Sequence, residues 1–520
     1  MTMQQPNHDL LAEHRVLIEH LIKDLVLNSP AAGTTKKQGD TDALEGSHSG
    51  KHIPEVNMNS SELENMIRAI LAEKATDKKS PETAANGLFS QVESAIDAAY
   101  EASKAYMQQP LKVRSAIIDA MRKELEPLIS EMAMRSAAET GMGNVMDKVA
   151  KNQAALFNTP GVEDLTTTAL TGDGGMVLFE RSPFGVIGAI TPSTNPTETI
   201  INNSISMLAA GNAIYFSPHP GAKEVSLWLI AKIEELVWRI SGIHNLVVTV
   251  TEPTAAATQA MMAHPRIALL AVTGGPAIVG MAMKTGKKVI GAGPGNPPVI
   301  VDETALLPQA AKDIVDGASF DNNVLCIAEK CVIAVESIAE SLMIMMEKEG
   351  AWRVTKAEDL EKLRRVVINE RGEANKALVG KTPAVILKAA GIALTPAPRL
   401  IIAEVPANDP LVSVEQLMPV LPIVKVNDFD RALELALAVE NEQHHTAMMH
   451  SQNITRLNTA AKVMQTSIFV KNGPSYAGLG IGGEGFTTFT IATPTGEGTT
   501  SARTFTRHRR CVLTSGFSIR

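Results

Sequence analysis

Apolar positions near the start of this chain keep a helical period. Over residues 9–27, Leu11, Ile18, Leu21, Ile22 and Leu25 fall on one stripe with charge opposite, which predicts an amphipathic helix. Residues 28–57 lose that periodicity and are rich in Gly, Ser, Thr, Lys, Asp and His, the composition of a flexible linker. The stripe returns at Leu63, Met66, Ile67, Ile70 and Leu71. Ser60 or Ser61 is placed to cap this second helix, and Glu62, Glu64 and Lys74 complement its dipole. A second polar stretch, 75–86, follows. Helices this short are marginal alone in water, so each needs a surface. That surface is the chain's own body or another protein, and the linkers on both sides favour another protein. Acids and bases mix on the polar faces, which speaks against a membrane surface.

From about residue 87 the period changes. The apolar, β-rich runs 186–190, 213–216, 246–250 and 268–272 alternate with helix-length segments such as 197–209 and 221–240. This alternation predicts an α/β fold with a parallel sheet covered by helices on both faces. A second series follows Pro297, with 299–301 and 332–335 as strands, so a seam is expected near 295–300. The expected organisation is an N-terminal extension (1–86), a first domain (87–295), a second (296–480) and a C-terminal segment (481–520). In that last segment Gly485 to Thr493 alternates like a strand.

Composition changes this picture little. Of 520 residues, 45% are hydrophobic and 20% charged, ordinary for a globular protein. A net charge of −8 does not suggest a nucleic-acid surface. The cluster Arg507-His508-Arg509-Arg510 is too short to change that and reads as a local ion-pair or subunit contact. Three cysteines make no disulfide framework, and nothing has metal-ligand spacing, so a reducing compartment is expected and no metal. No apolar run reaches the length of a membrane span, and the first residues lack the features of a signal peptide. A soluble, intracellular protein is the expectation.

Candidate chemistry lies at two places. Cys326 has a polar approach, Asp321-Asn322-Asn323, unlike that of a structural thiol. Upstream, an apolar run from Val186 enters a polar loop ending at Asn195. A thiol and a loop amide are the two parts needed to hold an aldehyde, one attacking carbon and the other receiving the oxyanion. A helix beginning at Cys326 is expected, which would lower the thiol pKa. Gly274-Gly275, after a strand and before the segment 276–284, suits an anion or cofactor at a helix start, although no G-x-G-x-x-G stands there. Gly291 to Pro298 also misses that spacing, and Gly280 to Lys288 departs from a P-loop. Cys331 reads as core, Cys511 as structural, and Asp302-Glu303 as solvated charge. His444-His445 read as pocket-edge or hydrogen-bonding residues.

Several motifs occur in one order: Thr191 to Pro196, Gly211 to Pro220, Thr273 to Gly275, Gly291 to Pro298, Asn322 to Cys326, and Glu415 to Pro419. In this the chain resembles the aldehyde dehydrogenase superfamily, in its CoA-acylating branch. Asn158 to Gly175 and Phe489 to Arg503 narrow the likeness to members that oxidise propionaldehyde inside bacterial microcompartments. The resemblance runs from about residue 58 to the C-terminus. It implies a Rossmann-like cofactor domain, an α/β catalytic domain and a small β oligomerisation element in a homo-dimer or tetramer. It implies Cys326 as nucleophile and Asn195 as oxyanion amide. Glu415 falls where the nicotinamide ribose is contacted. Thr191, Pro192, Ser193, Ser217, His219, Gly274, Gly275, Gly293 and Leu417 fall along the NAD and coenzyme A sites. Ala292 falls where hydrolytic members carry the Glu that activates water. The implied reaction converts a short aldehyde, CoA and NAD to acyl-CoA and NADH. Residues 58–71 resemble an encapsulation peptide, which implies microcompartment shell or core enzymes as partners.

Overall fold

The computed structural model describes residues 86–519. Both N-terminal amphipathic stretches and their linkers up to residue 85 lie outside the described residues.

Two parallel sheets organise the rest. The first has the strand order Leu88–Phe89, Val247–Val250, Ala213–Pro218, Val186–Thr191, Ile267–Thr273, Lys288–Ala292. The second runs Ala351–Val354, Leu400–Glu404, Val420–Val426, Cys331–Val335, Pro298–Val301, Thr446–His450, Ile468–Lys471. Chain passes between the sheets from Ala292 to Pro298. The central strands Val186–Thr191 and Cys331–Val335 are buried at every position, which is why they read as unbroken apolar runs. Helix Pro196–Ala209 is also buried throughout, and Pro196 starts it where a missing N–H costs nothing.

A third, antiparallel sheet pairs Thr506–Thr514 with Gly175–Pro183, and that strand with Thr168–Gly172. The Thr506–Thr514 strand is exposed beyond its first residue, and Cys511 is exposed on it rather than packed as a structural thiol. Residues 485–490 are not a strand; only Ile491–Ala492 pairs, with Gly498–Thr499. There the alternation reflects buried threonines bonded off-ladder: Thr487 Oγ1 donates to Leu479 O (2.6 Å) and Thr490 Oγ1 to Asn203 Oδ1 (3.1 Å). Asp302 is likewise not solvated. It is fully buried, accepting from Ser451 Oγ (2.8 Å) and Arg456 (3.1 Å), while Glu303 stays exposed. No helix among the described residues is long and apolar enough to cross a membrane.

Candidate active site

Four adjacent strands of the second sheet, Val420–Val426, Cys331–Val335, Pro298–Val301 and Thr446–His450, are each entered through a loop of the candidate site. In strand order these loops carry Glu415, then Cys326 with Lys330, then Gly295, then His445. Neighbouring parallel strands thus bring together residues up to 150 positions apart in sequence, from Gly295 to His445.

Lys330 holds the row. Its ammonium is buried and donates to Asn323 O (3.3 Å), Asn323 Oδ1 (2.6 Å) and Leu325 O (2.9 Å), the carbonyls that lead into Cys326. Burial pushes the Lys330 amine down to about 8, opposed by the Glu415 carboxylate. Gly295 N–H donates weakly to Glu415 Oε1 (3.4 Å). A Cβ on Gly295 would lie 2.6 Å from His445 Cγ, so only glycine lets the imidazole close against this loop. Burial pushes Glu415 up to about 7, with Lys330 pulling the other way. His445 is held down to about 4, by burial and then by Lys330, so it is neutral near pH 7. Its Nδ1 meets Thr446 Oγ1 at 2.9 Å, and its Nε2 is buried without a hydrogen-bond partner. His445 is therefore buried and hydrogen-bonded, which fits the hydrogen-bonding reading rather than the pocket-edge one.

No helix begins at Cys326. Residues 325–328 form a turn closed by Ala328 N–H to Leu325 O (3.1 Å), after three left-handed residues, Asp321 (φ 48°), Asn322 (52°) and Asn323 (64°). Asp and Asn tolerate that backbone region, which explains the polar approach. Without a helix dipole, and packed densely though partly accessible, the thiol is raised by burial to about 12, with Glu415 adding and Lys330 opposing. The expected lowering is thus reversed. Iodoacetamide inactivation of the free enzyme, in a Cys511→Ser background, should keep quickening from pH 7 to 10 without a plateau, more gently where Glu415 and Lys330 change charge beside the thiol. A rate that levels off between pH 8 and 10 would contradict this environment.

Asn195 caps helix Pro196–Ala209 and is almost wholly buried. Its Nδ2 donates to Thr194 Oγ1 (3.2 Å), and its Oδ1 accepts from Lys151 Nζ (2.6 Å). Lys151 and Lys148, on helix Val145–Phe157, are fully buried. Lys151 reaches Asp321 Oδ2 (2.5 Å) and Glu198 Oε1 (3.1 Å), the latter an ion pair short of hydrogen-bond geometry, and Lys148 reaches Asp321 at 3.0 Å. Sequence reasoning missed Lys148, Lys151 and Lys330. The signal was there: Lys148, Lys151, Asn152 and Ala155 share one stripe, and a stripe cannot be both polar and core unless its charges are paired.

The remaining candidates lie mainly at carboxyl ends of the first sheet, where open α/β sheets bind ligands. Thr191, Pro192 and Ser193 follow the central strand, and Thr191 Oγ1 is buried without a partner. Ser217 Oγ meets Thr258 Oγ1 at 2.8 Å. His219 is exposed, accepts from Gly221 N–H at Nδ1 (3.0 Å), and is lowered in pKa by partial desolvation and by Lys376. Gly275 caps helix Pro276–Met283 with open space above it, and Gly274 N–H donates to Ala292 O (3.2 Å). Gly293 packs against Pro494. These features fit a dinucleotide: an open helix start for phosphate and an unpaired hydroxyl, that of Thr191, at a strand end. Leu417 differs; it sits left-handed (φ 53°), bonded to Gly380 and packed on the second sheet's core. Outside the site, Glu93, Asp97 and His264 have ligand atoms within 4.8 Å, but Asp97 is paired with Arg266 and Glu93 with His264.

Residues 72–487 match the family model described as the aldehyde dehydrogenase family. The chain is 69% identical over 466 residues to the propanal dehydrogenase (CoA-propanoylating) of Salmonella typhimurium, covering 89% of this chain and 100% of that one. It superposes on a Rhodopseudomonas palustris propionaldehyde dehydrogenase solved with bound CoA and an acylated cysteine. That match has a TM-score of 0.82 and 48% identity, over 84% of this chain and 100% of the other. A propionaldehyde dehydrogenase from the fucose utilisation bacterial microcompartment of Clostridium phytofermentans matches with a TM-score of 0.81 and 47% identity, over 84% and 100%. With the fold, a thiol among convergent loops and these likenesses together, the chain belongs to the aldehyde dehydrogenase family.

Proposed function

We propose that this chain is a CoA-acylating aldehyde dehydrogenase that converts propionaldehyde, CoA and NAD to propionyl-CoA and NADH. The observation that carries this reading is Cys326, partly accessible in the row formed by Glu415, Lys330, Gly295 and His445, in a chain so close to a CoA-propanoylating relative. Cys326 Sγ attacks the carbonyl carbon, and its proton has two acceptors in the same row. Glu415, titrating near 7, suits general-base work at neutral pH, and neutral His445 offers Nε2. Asn195 Nδ2 and the Cys326 N–H hold the oxyanion, each worth about 3 kcal/mol of barrier. The bound carbon then passes from thiohemiacetal to thioester on Cys326. NAD supplies the hydride acceptor and CoA the thiol that takes the acyl group.

Ala292, buried at the end of strand Lys288–Ala292, places no carboxylate where hydrolytic members activate water. Thr191, Pro192, Ser193, Ser217, His219, Gly274, Gly275 and Gly293 are the residues we assign to cofactor contact, with Glu415 and Leu417 nearer the reacting end. Residues 87–295 would then bind cofactor and 296–480 carry the nucleophile. Residues 1–86 dock the enzyme to shell or core proteins of a microcompartment, by the likeness of 58–71 to an encapsulation peptide. The exposed strand Thr506–Thr514 serves a homo-dimer or tetramer. A second reading has its own observation: Glu415 is the carboxylate whose charge reaches Cys326, so it could activate water and yield a free acid. Steady NADH formation with propionaldehyde and NAD should require CoA. Equal turnover without CoA would establish the hydrolytic reading instead.

A further inference from the structure

We infer that Lys151 is a positioning residue that locks the amide of Asn195 in the orientation the oxyanion needs. The inference rests on the role proposed above for Asn195.

An asparagine amide can sit in either of two flips, and only one presents its NH2 to substrate oxygen. Lys151 decides between them. An ammonium has three donors and no acceptor, so the atom of Asn195 that it meets at 2.6 Å can only be Oδ1. Nδ2 then faces the opposite way, toward Thr194 and the loop, where one N–H stays available. The flipped amide would set two donors head to head in a buried place. Lys151 is itself held from both sides. Asp321 Oδ2 lies 2.5 Å away on the approach to Cys326, and Glu198 Oε1 lies 3.1 Å away one turn into the helix that Asn195 caps. All three side chains are fully buried, so the network is neither screened nor remodelled by solvent. The same ammonium thereby ties the amide loop of the first sheet to the thiol loop of the second, fixing donor against nucleophile.

The test is a double-mutant cycle on single-turnover NADH formation with Lys151→Met, Asn195→Ala and the pair. Each single variant should slow this step by about 10²-fold with little change in aldehyde KM. The pair should be no slower than Asn195→Ala, because Lys151 acts only through that amide. A merely structural lysine would multiply the losses instead. To keep buried charge balanced should Lys151→Met not fold, the cycle is repeated in a Glu198→Gln background, which removes one charge of each sign. Multiplying effects, or a normal rate in Lys151→Met, would overturn the inference while leaving Asn195 in its role. A normal rate in Asn195→Ala would overturn the oxyanion assignment, and the lock with it.

Discussion

Cys326→Ala is expected to abolish aldehyde-dependent NADH formation, on the order of 10⁴-fold or more, as loss of a covalent nucleophile does. The other two thiols cannot replace it. Cys331 lies inside a strand buried on both faces, its thiol pushed up to about 12 by burial alone. Cys511 is on the exposed edge strand of the antiparallel sheet, outside the two sheets whose loops carry the site. Folding should survive, since the change removes one atom from a partly accessible position and leaves Lys330 bonded to Asn323 and Leu325 through main-chain and asparagine oxygens. Steady-state rates with and without CoA, beside a denaturant unfolding curve, check both halves. Substantial residual turnover in a folded variant would mean that no acyl-cysteine lies on the path. An unfolded variant would mean that the thiol belongs to the core after all.

The two sheets were largely legible because buried parallel strands leave unbroken apolar runs, as Val186–Thr191 and Cys331–Val335 do. Cys326 stood out because Asp321, Asn322 and Asn323 interrupt such a run, and the structure gives the reason: all three take a left-handed backbone. The pKa expectation failed for a local reason. A helix was expected to start at Cys326, whereas the chain makes a turn there and supplies no dipole. Cys326, Glu415 and His445 were each noted singly, but their arrangement in one row with Gly295 could not be read, because it depends on strand order, and strand order is a long-range property. Lys148, Lys151 and Lys330 were passed over for a related reason. Buried lysine is rare, and a lone sequence does not show which carboxylate will meet it. The helix Val145–Phe157 and Asp321 are far apart along the chain, and only folding puts one charge against the other.

Asp321→Asn should cost about 3–5 kcal/mol of stability, the penalty for breaking a buried ion pair from one side. Asn keeps the volume and tolerates the backbone at φ 48°, so the substitution isolates charge from shape. The carboxylate accepts from Lys148 Nζ (3.0 Å), Lys151 Nζ (2.5 Å) and Asn144 N–H (2.7 Å). The last of these lies at the start of helix Val145–Phe157, where a negative charge also suits the dipole. Gly143, at φ 73°, lets the carboxylate in so closely that a Cβ there would fall 1.8 Å from its Oδ1. With the charge gone, Glu198 remains as the acid facing Lys151, and Lys148 loses its ion-pair partner. Two features separate this from a surface effect. The loss should be nearly the same at low and high salt, since buried pairs are little screened. It should also slow NADH formation, because a less firmly held Lys151 holds Asn195 less firmly. A loss under 1 kcal/mol, or one that fades with salt, would show that water reaches this cluster and that the charges do not brace the loops of Asn195 and Cys326.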